Sequence, residues 1–276
     1  MKKAILIIVI ILLVGVFAYS AWNVVGTLLE YRKGEAFYED LNQYVSTPEE
    51  AVKPKKPARE PLLFKETEPT TPPETQPQEG YPKLEVDFDA LLELNQDVVG
   101  WIYIPDTIIS YPVLQGRNND QYLYRLLTGA YNGAGSIFLD ADVASDFTGK
   151  NHPIYGHNMN NGTMFAELMG YKNQEFFDAH PKAYLLTPEK NYVVHLFSGY
   201  VIDAWGNAWD TTFSDRTFQE WLDTLQKRSY FASDVVPTVE DHVLTFSTCS
   251  YEVTEGRFVV HGILEEYVEE KQDTAP

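Results

Sequence analysis

The chain has a single cysteine, Cys249, at the end of the run DHVLTFSTC. A free thiol titrates near about 8.5 and is mostly protonated at neutral pH, so its use as a nucleophile calls for a proton-exchanging partner or a nearby cation. Alternation along the run places His242, Leu244, Phe246 and Thr248 on one face and Val243, Thr245, Ser247 and Cys249 on the other. Cys249 then stands where a strand ends. The loop SYEVTEG follows, and a second strand, RFVVHGIL, opens on Arg257. Such a hairpin brings Cys249 and Arg257 level at adjacent strand ends. A guanidinium there favours the thiolate, and its planar donors suit a substrate carbonyl or the oxyanion that develops when the thiolate attacks it. The competing readings are a buried thiol packed as a small hydrophobe and an arginine that is only a surface charge.

Six histidines are candidates for the proton-exchanging partner. His261 in FVVHGIL and His195 in YVVHLF read as structural, and His242 and His180 as turn residues. His157 closes HPIYGH and precedes NMNNG, a polar turn leading into TMFAELM, which is where a scaffold displays working residues. Its bland alternative is a solvated loop histidine. No metal site is assigned. His152 and His157 are five apart, which suits neither one strand face nor a helical zinc pair, and DADVASD lacks the central glycine and terminal glutamate of a calcium loop.

The elements that must hold these residues are mostly strands. VVGWIYI, IISYPVLQ, GSIFLD, HPIYGH, KAYLLT, NYVVHLFSGYVI, DHVLTFSTC and RFVVHGILEEY are short, rich in Val, Ile, Tyr and Phe, and bounded by Gly, Pro, Asn and Asp. Seven or eight such runs point to a closed or nearly closed β-barrel. Helices are expected at DFDALLELN, capped by Asp87, and at NDQYLYRLLTG, TMFAELMGYKNQEFFDAH and SDRTFQEWLDTLQKRSYF. In the last of these Phe218, Trp221, Leu222 and Leu225 form a core-facing stripe.

The first part of the chain reads differently. Lys2 and Lys3 precede an uncharged stretch, 4–29, long enough to span a bilayer as a helix, and the flanking lysines favour a cytoplasmic N-terminus with the rest outside. A cleaved signal peptide is the alternative. Residues 30–45 continue as a helical stalk, and 46–82, with nine of the sixteen prolines, read as a spacer that lifts the domain off the membrane. A net charge of −19 argues against nucleic acid or anionic lipid as a partner. One cysteine permits no intramolecular disulfide, so packing must supply stability.

Together these residues resemble a known family. TFSTC followed by Arg257 resembles the TLxTC-to-Arg signature of sortases, and YGHNMNNGTMF resembles the histidine segment of class B sortases. The likeness extends to ELNQDVVGWIYI, ISYPVLQGRNNDQYL and GSIFLD, over roughly residues 85–267, with Phe246 where the signature has Leu. It implies a mainly β fold, an eight-stranded sortase barrel with peripheral helices behind a transmembrane helix. It also implies a cysteine transpeptidase with Cys249 as nucleophile, His157 as general acid/base and Arg257 as oxyanion stabiliser. The substrate would be the sorting-signal peptide of a secreted protein, cut after Thr, and the acceptor a peptidoglycan amine, with no cofactor. By the same likeness Asn119, Leu123 and Ser247 line the substrate groove, and Trp209 belongs to an insertion that covers it, unless Trp205 and Trp209 are core aromatics. The organisation expected is an anchor at 1–29, a stalk at 30–45, a linker at 46–82, a catalytic domain at 83–268 and an acidic tail at 269–276. A cysteine peptidase using the same residues, or a tethered binding module with a structural cysteine, remain the alternatives.

Overall fold

The computed structural model describes residues 2–46 and 84–267. Two short strands, β1 (Val45–Ser46) and β2 (Glu85–Val86), pair with each other. Eight more close into a barrel: β3 (Val98–Tyr103), β4 (Ser110–Gln115), β5 (Ile137–Leu139), β6 (Asn151–Tyr155), β7 (Lys182–Leu186), β8 (Asn191–Asp203), β9 (Val243–Cys249) and β10 (Gly256–Tyr267). Their order around it is β10-β8-β7-β3-β4-β5-β6-β9. The helices are α1 (Lys2–Leu41), α2 (Phe88–Leu94), α3 (Gln174–Ala179) and α4 (Asp215–Arg228). The closed barrel is the fold that the alternating runs call for.

Two neighbours in the barrel, β4 with β5 and β6 with β9, run parallel. Parallel neighbours cannot be joined by a tight turn and need a crossover. The first crossover, 116–136, carries Asn119 and Leu123, and the second leaves β6 through Gly156 and His157. Two of the candidate groove residues, Asn119 and Leu123, and the candidate histidine therefore sit on connections that the topology forces to be long.

Alternation along β9 sorts its side chains as expected. Leu244 and Phe246 join the main core with Ile154 and Phe258, while Val243 joins Phe197, Tyr200 and Val259 in a second cluster beneath α4. The stripe on α4 is fully used: Phe218, Trp221, Leu222 and Leu225 are all buried in that cluster. Each such side chain contributes about 1.5–3 kcal/mol on burial. Ser214 caps the helix and Thr217 completes a capping box, while Asp87 caps α2 through the Ala90 N–H at 3.0 Å.

The expected helix over 119–129 does not form. The segment is a series of turns because tertiary partners take its carbonyls: Leu123 O accepts from His157, Tyr122 O from Ser136 N and Tyr124 O from Asn132 N. A helix would need those same oxygens for itself.

α1 runs unbroken through the expected anchor and most of the expected stalk, to Leu41, and it is the one helix among the described residues long and apolar enough to cross a membrane. Its last turns are not a free stalk but lie against the barrel. Glu30 accepts from Gly133 N at 2.7 Å and, through its carbonyl, from Asn132 Nδ2 at 3.1 Å. Gly34 has no room for a side chain, since a Cβ would meet Asn132 Oδ1 at 2.8 Å. Tyr38 and Leu41 are buried, with the Tyr38 hydroxyl donated to Gly135 O and its ring edge-on to Tyr111. Beyond the helix, Val45 pairs with Val86 and Ser46 with Glu85, and Asp87 N donates to Tyr44 O. Residues 47–83, which hold most of the expected spacer, lie outside the described residues, and the strands on either side of that segment, β1 and β2, pair with each other. The tail at 269–276 also lies outside the described residues.

Two structural histidines are deeply buried. His152 accepts from Gly149 N through Nε2 and donates from Nδ1 to Val243 O, and burial pulls its pKa down to about 4. His261 stacks on Tyr200 at 5.5 Å, edge-on to Trp221, with no hydrogen-bond partner for either ring nitrogen among the described residues. Burial pushes it to about 3. Both are neutral in the fold, whereas in the unfolded chain they take up protons near about 6.5. Their contribution to stability is thus complete above about pH 6.5 and is lost as the pH falls toward about 4 and below. The thermal midpoint should drop across that window, and His261→Phe, which keeps the ring stack and has nothing to protonate, should shrink the drop. Identical pH profiles for the two proteins would remove His261 as a cause.

Candidate active site

The turn from β9 to β10 fixes the thiol and the guanidinium. Cys249 and Arg257 are direct partners in the antiparallel register, so their side chains share one face of the sheet. The turn is closed by Ser250 N to Gly256 O at 2.9 Å and Gly256 N to Val253 O at 3.0 Å, with Glu255 in the left-handed region at φ 52°. Gly256 is required, since a Cβ would lie 2.8 Å from Ser250 O. The Arg257 guanidinium folds back over this turn and donates to the carbonyls of Glu255 and Gly256. Cys249 is half-buried and free.

The histidine arrives by the parallel pair. Tyr155 of β6 is level with Ser247 of β9, and His157 and Cys249 lie two residues further along their respective strands. The alignment holds past the last strand residue, because Gly156 N donates to Ser247 O at 3.1 Å and Thr248 Oγ1 donates to Gly156 O at 2.8 Å. Asn158 adds a third tie, from Nδ2 to Cys249 O at 2.9 Å. Gly156 is packed so closely that a Cβ would meet Ile137 Cδ1 at 2.4 Å and the Phe165 ring at 2.7 Å. The loop after His157 then turns back on itself, with Phe165 N bonded to His157 O and Gly162 at φ 83°.

His157 Nε2 lies 2.6 Å from Leu123 O. A carbonyl can only accept, so Nε2 carries a hydrogen and Nδ1 is the ring nitrogen outside this contact. The ring also lies on Tyr124, with centroids 5.4 Å apart. Tautomer and ring plane are therefore both set by the crossover from β4 to β5.

A cleft of about 190 Å³ is lined by Cys249, His157, Arg257, Asn119, Leu123 and Ser247 together with Phe138, Tyr155, Gly156 and Thr248. Six of the seven residues named from sequence thus meet in one place. Trp209 is the exception: it does not line the cleft, and its indole donates to Ser247 Oγ at 3.1 Å. It is half-buried and packs on the second core cluster, whereas Trp205 is 88% exposed and is no core aromatic. Larger hollows, of about 400 Å³ beside Ile202 and Arg228 and about 460 Å³ beside Thr187 and Tyr192, hold neither a thiol nor a histidine.

Beneath the cleft lies a polar brace that the motifs did not reveal. The Asp140 carboxylate accepts from Tyr155 Oη at 2.7 Å, Asn119 Nδ2 at 2.9 Å and Asp142 N at 2.9 Å, while Asn119 Oδ1 accepts from Ala141 N. Burial, and then the Asp140 charge, push the Tyr155 hydroxyl far above its usual range, so it stays a donor. The signal was in the sequence as Asp140 at the end of GSIFLD, but its partners lie on three different segments. Asn119 is largely spent on this brace, with one amide hydrogen left for a ligand.

The family model for the sortase domain matches residues 102–265. A sortase B of Listeria monocytogenes is 38% identical over 177 residues, which are 63% of this chain and 72% of that protein. A sortase B of Staphylococcus aureus is 31% identical over 261 residues, 94% of this chain and 96% of the relative. Among solved structures, a sortase B from B. anthracis in complex with AAEK1 superposes with a TM-score of 0.67 at 30% identity, covering 87% of this chain and all of that one. The S. aureus sortase B crystal structure gives 0.63 at 33% identity, over 66% of this chain and 88% of its own. With a barrel of the same architecture carrying one thiol at the end of β9, the chain belongs to the sortase family and is a class B sortase, a cysteine transpeptidase.

Proposed function

We propose that Cys249, His157 and Arg257 perform the acyl transfer, and that the rest of the cleft holds the donor peptide. The observation that carries this reading is the double register around β9, which sets Arg257 opposite Cys249 on one side and His157 level with it on the other. The Cys249 thiolate attacks the carbonyl carbon of the Thr at the cleavage point of a sorting signal. Arg257 stabilises the oxyanion. The C–N bond breaks as His157 gives its proton to the leaving amine, and a thioester remains on Cys249. An amine of a peptidoglycan precursor then attacks the thioester, loses a proton to His157, and expels the thiolate as the new amide forms.

The expected roles of the other residues divide according to their partners. Leu123 and Phe138 give the cleft apolar walls, and Asn119 offers its remaining amide hydrogen to the peptide backbone. Trp209 anchors the segment after β8 over Ser247, which makes it a positioning residue for the covering insertion. The catalytic unit is 83–268 together with the docked end of α1. The protein is held in the plasma membrane by α1, with Lys2 and Lys3 on the cytoplasmic side and the barrel on the cell-wall side.

Incubating the full chain in detergent with a sorting-signal peptide should give an adduct on intact-mass analysis equal to the peptide's acyl half, cleavable by hydroxylamine. Cys249→Ala should abolish it and cost roughly a thousandfold or more in turnover, with the fold intact. Absence of any adduct on the wild-type protein would favour a binding module with a structural cysteine.

For the flanking groups, His157→Ala should lower turnover by roughly 10²–10⁴-fold, and Arg257→Ala by roughly 10²–10³-fold. Adding an amine acceptor should divert product from acid to amide. If water remained the sole acceptor at saturating amine, the reaction would be that of a peptidase.

A further inference from the structure

The uncharged stretch 4–29 is followed at once by Glu30, and Glu30 is already bonded to Asn132 and Gly133 of the catalytic domain. As a helix that stretch is about 39 Å long at about 1.5 Å per residue, against about 30 Å for the hydrocarbon core of a bilayer, so its outer end lies in the headgroup zone. No length of chain separates the membrane from the barrel.

The contacts along α1 also give the order of heights. Glu30 meets Asn132 and Gly133, Gly34 meets Asn132 and Ala134, and Tyr38 meets Gly135. The segment 132–135 thus climbs the helix away from the membrane-spanning stretch, and a chain continued in the same line before 132 runs toward that stretch. The part before 132 is the turn closed by Leu126 N to Ala130 O and by the bridge between Arg125 and Tyr131.

This turn is aromatic and basic in an otherwise acidic chain. Tyr131 is 75% exposed and stacks on Tyr124, itself 48% exposed, with centroids 6.4 Å apart. Arg125 is exposed beside them, as are Arg32 and Lys33 on the first docked turn of α1. Amphipathic rings and cations at one level are what a membrane–water interface selects, the rings at the headgroups and the cations toward the phosphates.

We propose that the turn 124–131 rests, through Tyr124 and Tyr131, in the headgroup layer of the bilayer that α1 crosses, so that the active-site cleft opens at the membrane surface. His157 lies directly on Tyr124, one ring away from this ledge. A peptide or acceptor amine emerging from the same bilayer is then delivered at the height of the thiol. The proposal rests on the reading of α1 as a membrane anchor.

The test uses the full chain with Cys249→Ser, which removes the native thiol, reconstituted in vesicles of phosphatidylethanolamine and phosphatidylglycerol. A nitroxide is attached at Tyr131→Cys or, as control, at Gln43→Cys, an exposed site about 21 Å further along the helical rise from Leu29. Collision with oxygen, which concentrates in the bilayer, is compared with collision with a water-soluble nickel chelate. The oxygen-to-nickel ratio should be several-fold higher at 131 than at 43. Equal ratios in vesicles that retain the protein through an alkaline carbonate wash would overturn the ledge alone. Release of the protein by that wash would overturn the anchor and the ledge with it.

Discussion

The parallel pairing of β6 with β9 is the constraint on which the site depends. Parallel strands end at the same end of a sheet, so whatever follows β6 and whatever closes β9 are brought side by side. His157 and Cys249 are far apart in the chain, and their relative position is set by the register Tyr155 to Ser247 and by the bonds that carry it two residues further. A slip of β9 by one residue would turn Cys249 to the face opposite His157. The core opposes such a slip, because Leu244 and Phe246 would leave the main cluster for the surface beneath α4.

The two halves of the site differ in how far the sequence exposed them. Cys249 and Arg257 belong to one hairpin, and hairpin geometry is local, so loop and strand patterns alone place them opposite each other. His157 is different. Nothing in HPIYGH says that its strand lies beside DHVLTFSTC, and a parallel pairing leaves no turn signal between the two runs. Its role came from resemblance, and its position from tertiary structure. The Asp140 brace was less visible still, because it joins Tyr155, Asn119 and the turn after β5, none of which forms a motif with it. The segment 119–129 departs from the expected helix for a related reason. Its composition suits a helix, but its carbonyls are claimed by His157, Ser136 and Asn132.

Polar groups around the cleft are ordered by neutral contacts more than by charge pairs. Arg257 is held by two carbonyls of its own turn and His157 by one carbonyl of another crossover. All three contacts are to neutral carbonyls, so neither side chain is paired with a charge there. An ion pair between the half-buried Lys172 and the exposed Glu252 joins the turn between β9 and β10 to the 3-10 segment Ala166–Lys172, and Lys172 also lies over the Phe258 ring. Pairs of this exposure contribute little to stability. The pair fastens a turn that ends on Arg257.

The clasp between β1 and β2 has a separate consequence, for how such chains vary. Val45 and Val86 are neighbours whatever lies between them, so the inserted segment is a closed loop in the thermodynamic sense. Doubling the length of such a loop costs only about 0.6 kcal/mol. Insertions, deletions or a whole grafted module between Ser46 and Leu84 would leave the barrel, its helix and the thiol where they are. The same argument makes the proline-rich stretch a natural site for engineered fusions.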